Sequence, residues 1–439
     1  MLTFFKDHQN IVLTIKTKGE IHLSKRSRIL IYMVSSMFLG YMPWYGFSAV
    51  SPHLVREFGL TSTQTGIILS AFQLGYVLTV IASGLLADRF GNRLVLVCAT
   101  LATGISSCLF ALLASGYGSI LALRLLTGLS AGAIYAPGMA LLSRWFPPGE
   151  RGMAIGAYTA ALTASYAGGY CIAGPVSALF SWRLGILSIS VPVFFAVLIL
   201  VLFVQDGPAE VHVPAPSWRA DGDGKLFPGG LRAPILLTAG YAGHMWELYA
   251  FWGWIGPFLA AWALKTGWGV SRAASFSGVA SAGIIMAGSL AVAGIGLLSD
   301  RLGRRKTILL AGTASCAAEF FFGFLYRGSL SAVLGAGSWI GFWCVADSAV
   351  YKAGLSELAS PSRRGTALGL QSAIGYLATV ISPLVFGWAL GPASPVADEG
   401  TRWGLAFALL GAGAFLAPAS MLLYPEARDE KRRIPCSGQ

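Results

Sequence analysis

Six ionisable side chains stand inside stretches that are otherwise apolar: Arg124, His244, Glu247, Glu319, Asp347 and Lys352. A charged side chain in hydrocarbon costs about 2.5–3.5 kcal/mol on insertion scales, so each of these positions needs a reason. Arg124 presents a planar, permanently charged fork that suits a carboxylate or a phosphate; the other use of such a group is as a structural partner inside a bundle. His244 and Glu247, in GYAGHMWELYAFWGWIGPF, are three residues apart and share one helical face. Two such groups accept and release a proton as their surroundings change, or else interlock to hold their helix against a neighbour. Asp347, in WCVADSAVYK, is a second candidate proton carrier. Lys352 follows about 140° further round the helix, which disfavours an ion pair with Asp347, and its position near a helix end suits snorkelling to the surface. Glu319 reads as a buried hydrogen-bonding acid. There is no H-E-x-x-H, G-x-S-x-G or G-x-x-x-x-G-K-S/T, no CxxC and no metal-ligand cluster. The sequence therefore points away from an enzyme, and to no cofactor and no metal.

The elements that carry these groups are apolar runs long enough to cross a bilayer. Of 439 residues, 55% are hydrophobic and 11% charged, against the roughly 25% charged that soluble domains carry. Twelve runs of about 20 residues follow one another over 29–50, 62–87, 94–115, 118–144, 152–178, 184–204, 233–262, 273–299, 307–326, 330–353, 366–390 and 403–424. Lipid satisfies no open backbone groups, so each is expected to be a helix, and the fold class is an all-α membrane protein. The net charge of +12 is unevenly placed: 23 of the 31 Lys and Arg fall on the tails and even-numbered connections, and 6 on the odd-numbered ones. That is the positive-inside asymmetry; it puts both termini in the cytoplasm and explains the charge without nucleic acid. Residues 1–28 read as a cytoplasmic tail, 29–204 as a first six-helix bundle, 205–232 as a cytoplasmic linker rich in Pro, Gly and Asp, 233–424 as a second bundle and 425–439 as a second tail. Five cysteines lie in runs and Cys436 in the tail, so no disulfide is expected.

The two bundles repeat one plan. GLLADRFGNR, from Gly84, returns as GLLSDRLGRR, from Gly296, and RGMAIG, from Arg151, returns as RGTALG, from Arg364. Two landmarks at nearly equal intervals in both halves indicate duplication. Six plus six spans with G-x-L-x-D-R-x-G-x-R in each half resemble the major facilitator superfamily of secondary transporters, over about residues 29–424. RLLTGLSAGAIYAPGMALLSRWFPPGERG, with Gly four residues after Arg124, is similar to that family's second motif, although Thr127 stands where Gln is common; its WFPPGERG ending is similar to members that carry small anions.

The resemblance implies that spans 1, 4, 7 and 10 surround a central cavity, where all six ionisable groups except Glu319 would fall. It implies that Asp88 bridges to the start of span 11 and Asp300 to the start of span 5 when the transporter faces outward. Gly84 and Gly296 would permit close packing there, and Arg89, Arg93, Arg151, Arg301, Arg304, Arg305 and Arg364 would complete the charge network. Trp44, Tyr45, Tyr135, Tyr158, Tyr166, Trp246, Tyr249, Trp252, Trp254, Trp339 and Trp343 concentrate on the expected cavity spans. Of these, Tyr45, Tyr135 and Trp343 are the expected substrate contacts, with Arg124. Glu247, His244 and Asp347 are the expected proton-coupling groups. Pro175 and Pro383 are expected to bend spans 5 and 11. The reading is a monomeric, multi-pass cell-membrane transporter whose partners are the bilayer, protons and a small, anionic solute. A proton-coupled efflux antiporter and a transporter-like sensor are the alternatives.

Overall fold

The computed structural model describes residues 14–15, 21–22, 24–207, 226–360, 363–391 and 398–425. Most of the expected linker, the C-terminal tail and Cys436 lie outside them. A short antiparallel pair, Thr14–Ile15 with Ile21–His22, precedes the helices. Spans 2, 3, 5, 6, 7, 8 and 11 are single helices: Ser62–Phe90, Asn92–Leu113, Pro148–Leu179, Trp182–Phe203, Arg232–Lys265, Val270–Leu302 and Arg364–Leu390. Spans 1, 4, 10 and 12 are each made of two: Lys25–Tyr41 and Gly46–Phe58, Tyr117–Ala131 and Tyr135–Trp145, Leu330–Ala346 and Ser348–Leu358, Glu399–Ala414 and Leu416–Leu422. Span 9 is Arg304–Phe322 and runs on as a 3-10 turn, Gly323–Arg327. Spans 5 and 11 each carry a proline, Pro175 and Pro383, inside one continuous helix. Cys98, Cys108, Cys171, Cys316 and Cys344 are free thiols.

Helix boundaries follow local chemistry. Thr61 and Gln64 open span 2 as a reciprocal capping box, with Thr61 Oγ1 accepting from Gln64 N at 3.1 Å and Gln64 Oε1 from Thr61 N at 2.9 Å. The second glycine of the repeated phrase ends spans 2 and 8: Gly91 and Gly303 both adopt φ 85°. Only glycine takes that conformation without strain, and the next helix starts one residue later. This accounts for the second glycine of the phrase in both halves.

Among the described residues, nine spans have helices long and apolar enough to cross a bilayer; spans 1, 5 and 7 do not, span 1 because its break leaves helices of 17 and 13 residues. Those three hold the Tyr, Trp, Gly and polar residues that meet between the bundles, where lipid does not reach. The halves touch along spans 2 with 11 and 5 with 8. At the ends away from the basic loops their backbones close on glycines: a Cβ on Gly66 would lie 2.6 Å from Pro383 O, and one on Gly174 would lie 2.8 Å from Ala274 O and from Gly278 Cα. Small residues let helices approach this closely. At the basic ends the opposite holds, since Gly84, Gly152, Gly156, Gly365 and Gly369 have nothing within 4 Å of an added Cβ. The molecule is therefore packed shut on the face opposite the basic loops. Gly174→Val is expected to wedge that seam. Overpacking costs about 1–3 kcal/mol, which corresponds to a roughly 5- to 150-fold loss of the shut state. The check is transport rate against membrane-inserted protein, with Gly174→Ala falling between the two.

Candidate functional site

The site is built on the break in span 1. Pro43 lacks an N–H and clashes with the turn before it, so the helix stops at Tyr41 and restarts at Gly46. Single-turn bonds from Trp44 N to Tyr41 O (3.0 Å) and from Gly46 N to Pro43 O (3.1 Å) bridge the gap. Arg124, 2% exposed, reaches across from span 4 and serves the break. Its Nη1–H donates to Pro43 O at 3.1 Å and its Nη2–H to Trp44 O at 2.6 Å, while the guanidinium lies 4.3 Å above the Phe72 ring. A bound guanidinium of this kind is fixed in place, since each bond to a charged donor contributes about 1.5–3 kcal/mol. Nε is left buried with no partner.

Around that free N–H lies an aromatic box. Tyr45 meets Tyr166 at 5.2 Å between ring centroids, Trp44 meets Tyr166 at 5.1 Å and Trp252 meets Tyr166 at 5.4 Å. Both halves contribute, and Tyr170 Oη ties them by donating to Trp252 O at 2.7 Å. Trp44 Nε1, Tyr45 Oη, Tyr166 Oη, Trp252 Nε1 and Gln73 Oε1 are all buried and make no hydrogen bond of ordinary geometry. Buried polar groups are nearly always bonded, so five orphans beside a sixth on Arg124 mark a place made for something else. Four of the five are, or include, donors. The space beside Arg124, lined by Trp44, Tyr45, Phe72, Gln73 and Tyr249, is ≈ 10 Å³, about room for one water. The rings must part to admit a solute. On the face that is packed shut, a vestibule of ≈ 530 Å³ opens between the halves, with Arg56 from the first and Lys265 from the second on its walls.

The second half holds its own polar cluster. His244 Nδ1 lies 2.9 Å from Asp347 Oδ1, and His244 Nε2 is 2.8 Å from Ser348 Oγ. Span 10 breaks at Asp347, which presents its carboxylate and the next residue's hydroxyl to one imidazole from span 7. Asp347 thus has a partner that spacing alone did not reveal. Both nitrogens of His244 are engaged by span 10, so the expected His244–Glu247 pairing gives way to a His244–Asp347 pair. Glu247 is buried, with Oε1 unpartnered. Lys352 does not snorkel: its Nζ donates to Ser372 Oγ at 2.6 Å and sits 4.2 Å above the Tyr241 ring. Glu319 is not a hydrogen-bonded structural acid either, because both its oxygens are buried and unbonded.

Of the three aromatics singled out, the structure brings Tyr45 to the box. Tyr135 stacks on Tyr158 at 5.9 Å and pairs with Thr159 Oγ1 at 2.7 Å, at the junction of spans 4 and 5. Trp343 packs with Ala291, Ile295 and Ala311 of spans 8 and 9, turned away from the box. Trp44, Gln73, Tyr166 and Trp252 take the places at the centre; the signal for the aromatic ones was their density on spans 1, 5 and 7. At the basic ends, Asp88 and Arg364 are exposed, and Arg89 and Arg301 likewise. Four arginines of the expected gate make bonds within their own half: Arg93 Nη2–H to Val201 O at 2.7 Å, Arg151 Nε–H to Phe146 O at 2.9 Å, Arg305 Nε–H to Met421 O at 2.8 Å and Arg304 Nη2 to Glu357 Oε1 at 3.0 Å. The surroundings of Gly296 and the Asp300 side chain lie outside what the structure describes.

This architecture has known counterparts. A D-xylose-proton symporter of known structure superposes with a TM-score of 0.75 at 16% identity, covering 93% of this chain and 99% of that one. The hexuronate transporter of Bacillus subtilis is 23% identical over 90% of this chain and 94% of its own length. The probable sulfoacetate transporter SauU of Cupriavidus necator is 25% identical over 93% and 97%. The family model described as Major Facilitator Superfamily matches residues 33–295 and 248–436, nearly the whole of the twelve spans. Two six-span halves facing each other across a polar seam, with that match, make the chain a multi-pass membrane transporter, not an enzyme, and a member of the Major Facilitator Superfamily.

Proposed function

We propose that the chain is a proton symporter for a small organic monoanion, working by alternating access. The observation that carries this reading is the set of orphaned donors around Arg124. A carboxylate entering the box would accept from Arg124 Nε–H, the indoles of Trp44 and Trp252 and the hydroxyls of Tyr45 and Tyr166, with the rings covering its carbon skeleton. Arg124 stays anchored by its other two nitrogens, so little side-chain entropy is lost on binding. Relatives named for hexuronate and sulfoacetate support an acidic solute. The two differ in charge, hexuronate carrying one and sulfoacetate two. One fixed cation in the box argues for one, because a second buried charge without a partner costs several kcal/mol.

Glu247, with the His244–Asp347 pair, carries the proton in this reading. The basic ends face the cytoplasm in this reading, which puts both termini on the cytoplasmic side of the cell membrane and makes the present arrangement the outward-closed one. In the opposite arrangement Asp88 and Asp300 meet the starts of spans 11 and 5, where a carboxylate at a helix N-terminus contributes about 0.3–2 kcal/mol, weak enough to break each cycle. The protein acts as a monomer.

Reconstituted protein tests this against a panel of acids under an imposed pH gradient. Uptake of monocarboxylates such as a hexuronate is expected to exceed that of matched dianions by about 100-fold, at about 1.4 kcal/mol per tenfold, and to rise when the outside is acidified. Equal uptake of dianions removes the monoanion assignment; uptake blind to the gradient removes the proton.

A further inference from the structure

Of the six charged or imidazole side chains singled out in the spans, Glu319 is the one on span 9. Its helix, span 9, packs on spans 8, 10 and 12 of its own half. The residue is 0% exposed, and neither carboxyl oxygen has a hydrogen-bond partner. Span 12 closes directly over it, since a Cβ on Gly411 would lie 3.4 Å from Glu319 Cβ. The titratable groups that face it are Glu247 from span 7, Cys344 from span 10 and Cys316 from its own helix. Spans 8 and 12 bring none among the described residues, and no Lys or Arg offsets it. Glu247 is itself buried with one unbonded oxygen; Ser315 of span 9 and Asp347 of span 10 also face it, and Asp347 is held by His244.

Two acids that share a dry core with no Lys or Arg beside them cannot both be anions, because each ion forfeits several kcal/mol of hydration that a single hydroxyl does not repay. An acid kept only for packing would be hydrogen-bonded, or replaced by an apolar residue of similar volume. We infer that Glu319 and Glu247 together hold a proton in the core of the second half, at a site separate from the solute box, and that this is the proton the transport cycle moves. With the proton bound the core is neutral and closes dry. Its release to water leaves a carboxylate that stays only where water can reach it, so loading of the pair is linked to which face is open. The transport role rests on the symport reading above; the presence of the proton does not.

Infrared spectroscopy of the purified full-length protein separates the two. Wild type is expected to show, at neutral pH, the C=O stretch of a protonated carboxyl in an apolar setting, and both E319Q and E247Q are expected to weaken it. A wild-type spectrum without that band overturns the inference, as does a band that E319Q leaves intact. In proteoliposomes E319Q is expected to lose accumulation driven by a pH gradient by about 5- to 150-fold, the span of ordinary coupling energies. Solute exchange at equal pH on both sides should persist, and E319D should retain accumulation with a displaced pH profile. Wild-type accumulation in E319Q sinks the transport role. Wild-type uptake indifferent to the gradient sinks symport itself, and the infrared band then decides whether the pair holds a proton.

Discussion

Arg124→Lys is expected to lower the initial rate of solute uptake by about 100-fold, even though it keeps the charge. The guanidinium does three things at once: two N–H groups hold the carbonyls of the span 1 break, its plane covers Phe72, and its third nitrogen is left for the solute. An ammonium is a compact point charge that cannot divide itself this way. Lysine would have to choose between the carbonyls and the anion. Losing one charge-assisted bond at each end removes about 1.5–3 kcal/mol apiece, and the sum corresponds to the stated loss or more. Arg124→Gln, with no charge, should fall lower still. The measurement is uptake in proteoliposomes at matched protein content, with thermal stability read in parallel, because a loosened break in span 1 should also lower the unfolding temperature. If lysine transports as well as arginine, the anchored fork is not the binding element and the charge alone suffices.

His244→Ala should be the most destabilising of the single changes in the second half, at about 3–5 kcal/mol, because it leaves Asp347 buried with no donor. The pair is as dry as a protein core, both side chains being 2–3% exposed, at 2.9 Å. Asp347→Asn is gentler, since an amide oxygen can still accept from His244 Nδ1–H while the formal charge is gone. That variant is expected to fold, to exchange solute across a membrane at equal pH, and to lose accumulation under a pH gradient. The contrast between the two is the informative result: loss of stability without loss of coupling in Asp347→Asn would make the pair a structural strut between spans 7 and 10. Detergent-phase thermal unfolding and gradient-driven uptake, measured on the same preparations, distinguish these outcomes.

The sequence by itself determined the number of spans and the two-fold plan. Hydrocarbon imposes a length, an apolar composition and a helical backbone on every crossing segment, so these are written locally and read without partners. The repeated phrase told which loops correspond, and φ 85° at Gly91 and Gly303 shows why its second glycine recurs. Sequence also nominated Arg124, His244, Glu247, Glu319, Asp347 and Lys352, because a charge in an apolar run is conspicuous whatever surrounds it. Which of them meet was not legible. His244 and Glu247 share a helical face yet His244 turns to Asp347, over a hundred residues away, and Lys352 finds Ser372 on span 11 and not the surface. Trp343 and Tyr45 are alike in sequence terms, apolar-span aromatics on expected cavity helices, but only the packing of spans 1, 5 and 7 brings Tyr45 to the box. Periodicity specifies a residue's azimuth on its own helix; the rotation and height of the helix beside it come from the whole bundle's packing. A bond between two spans depends on both helices, so it becomes fixed only when the halves are assembled.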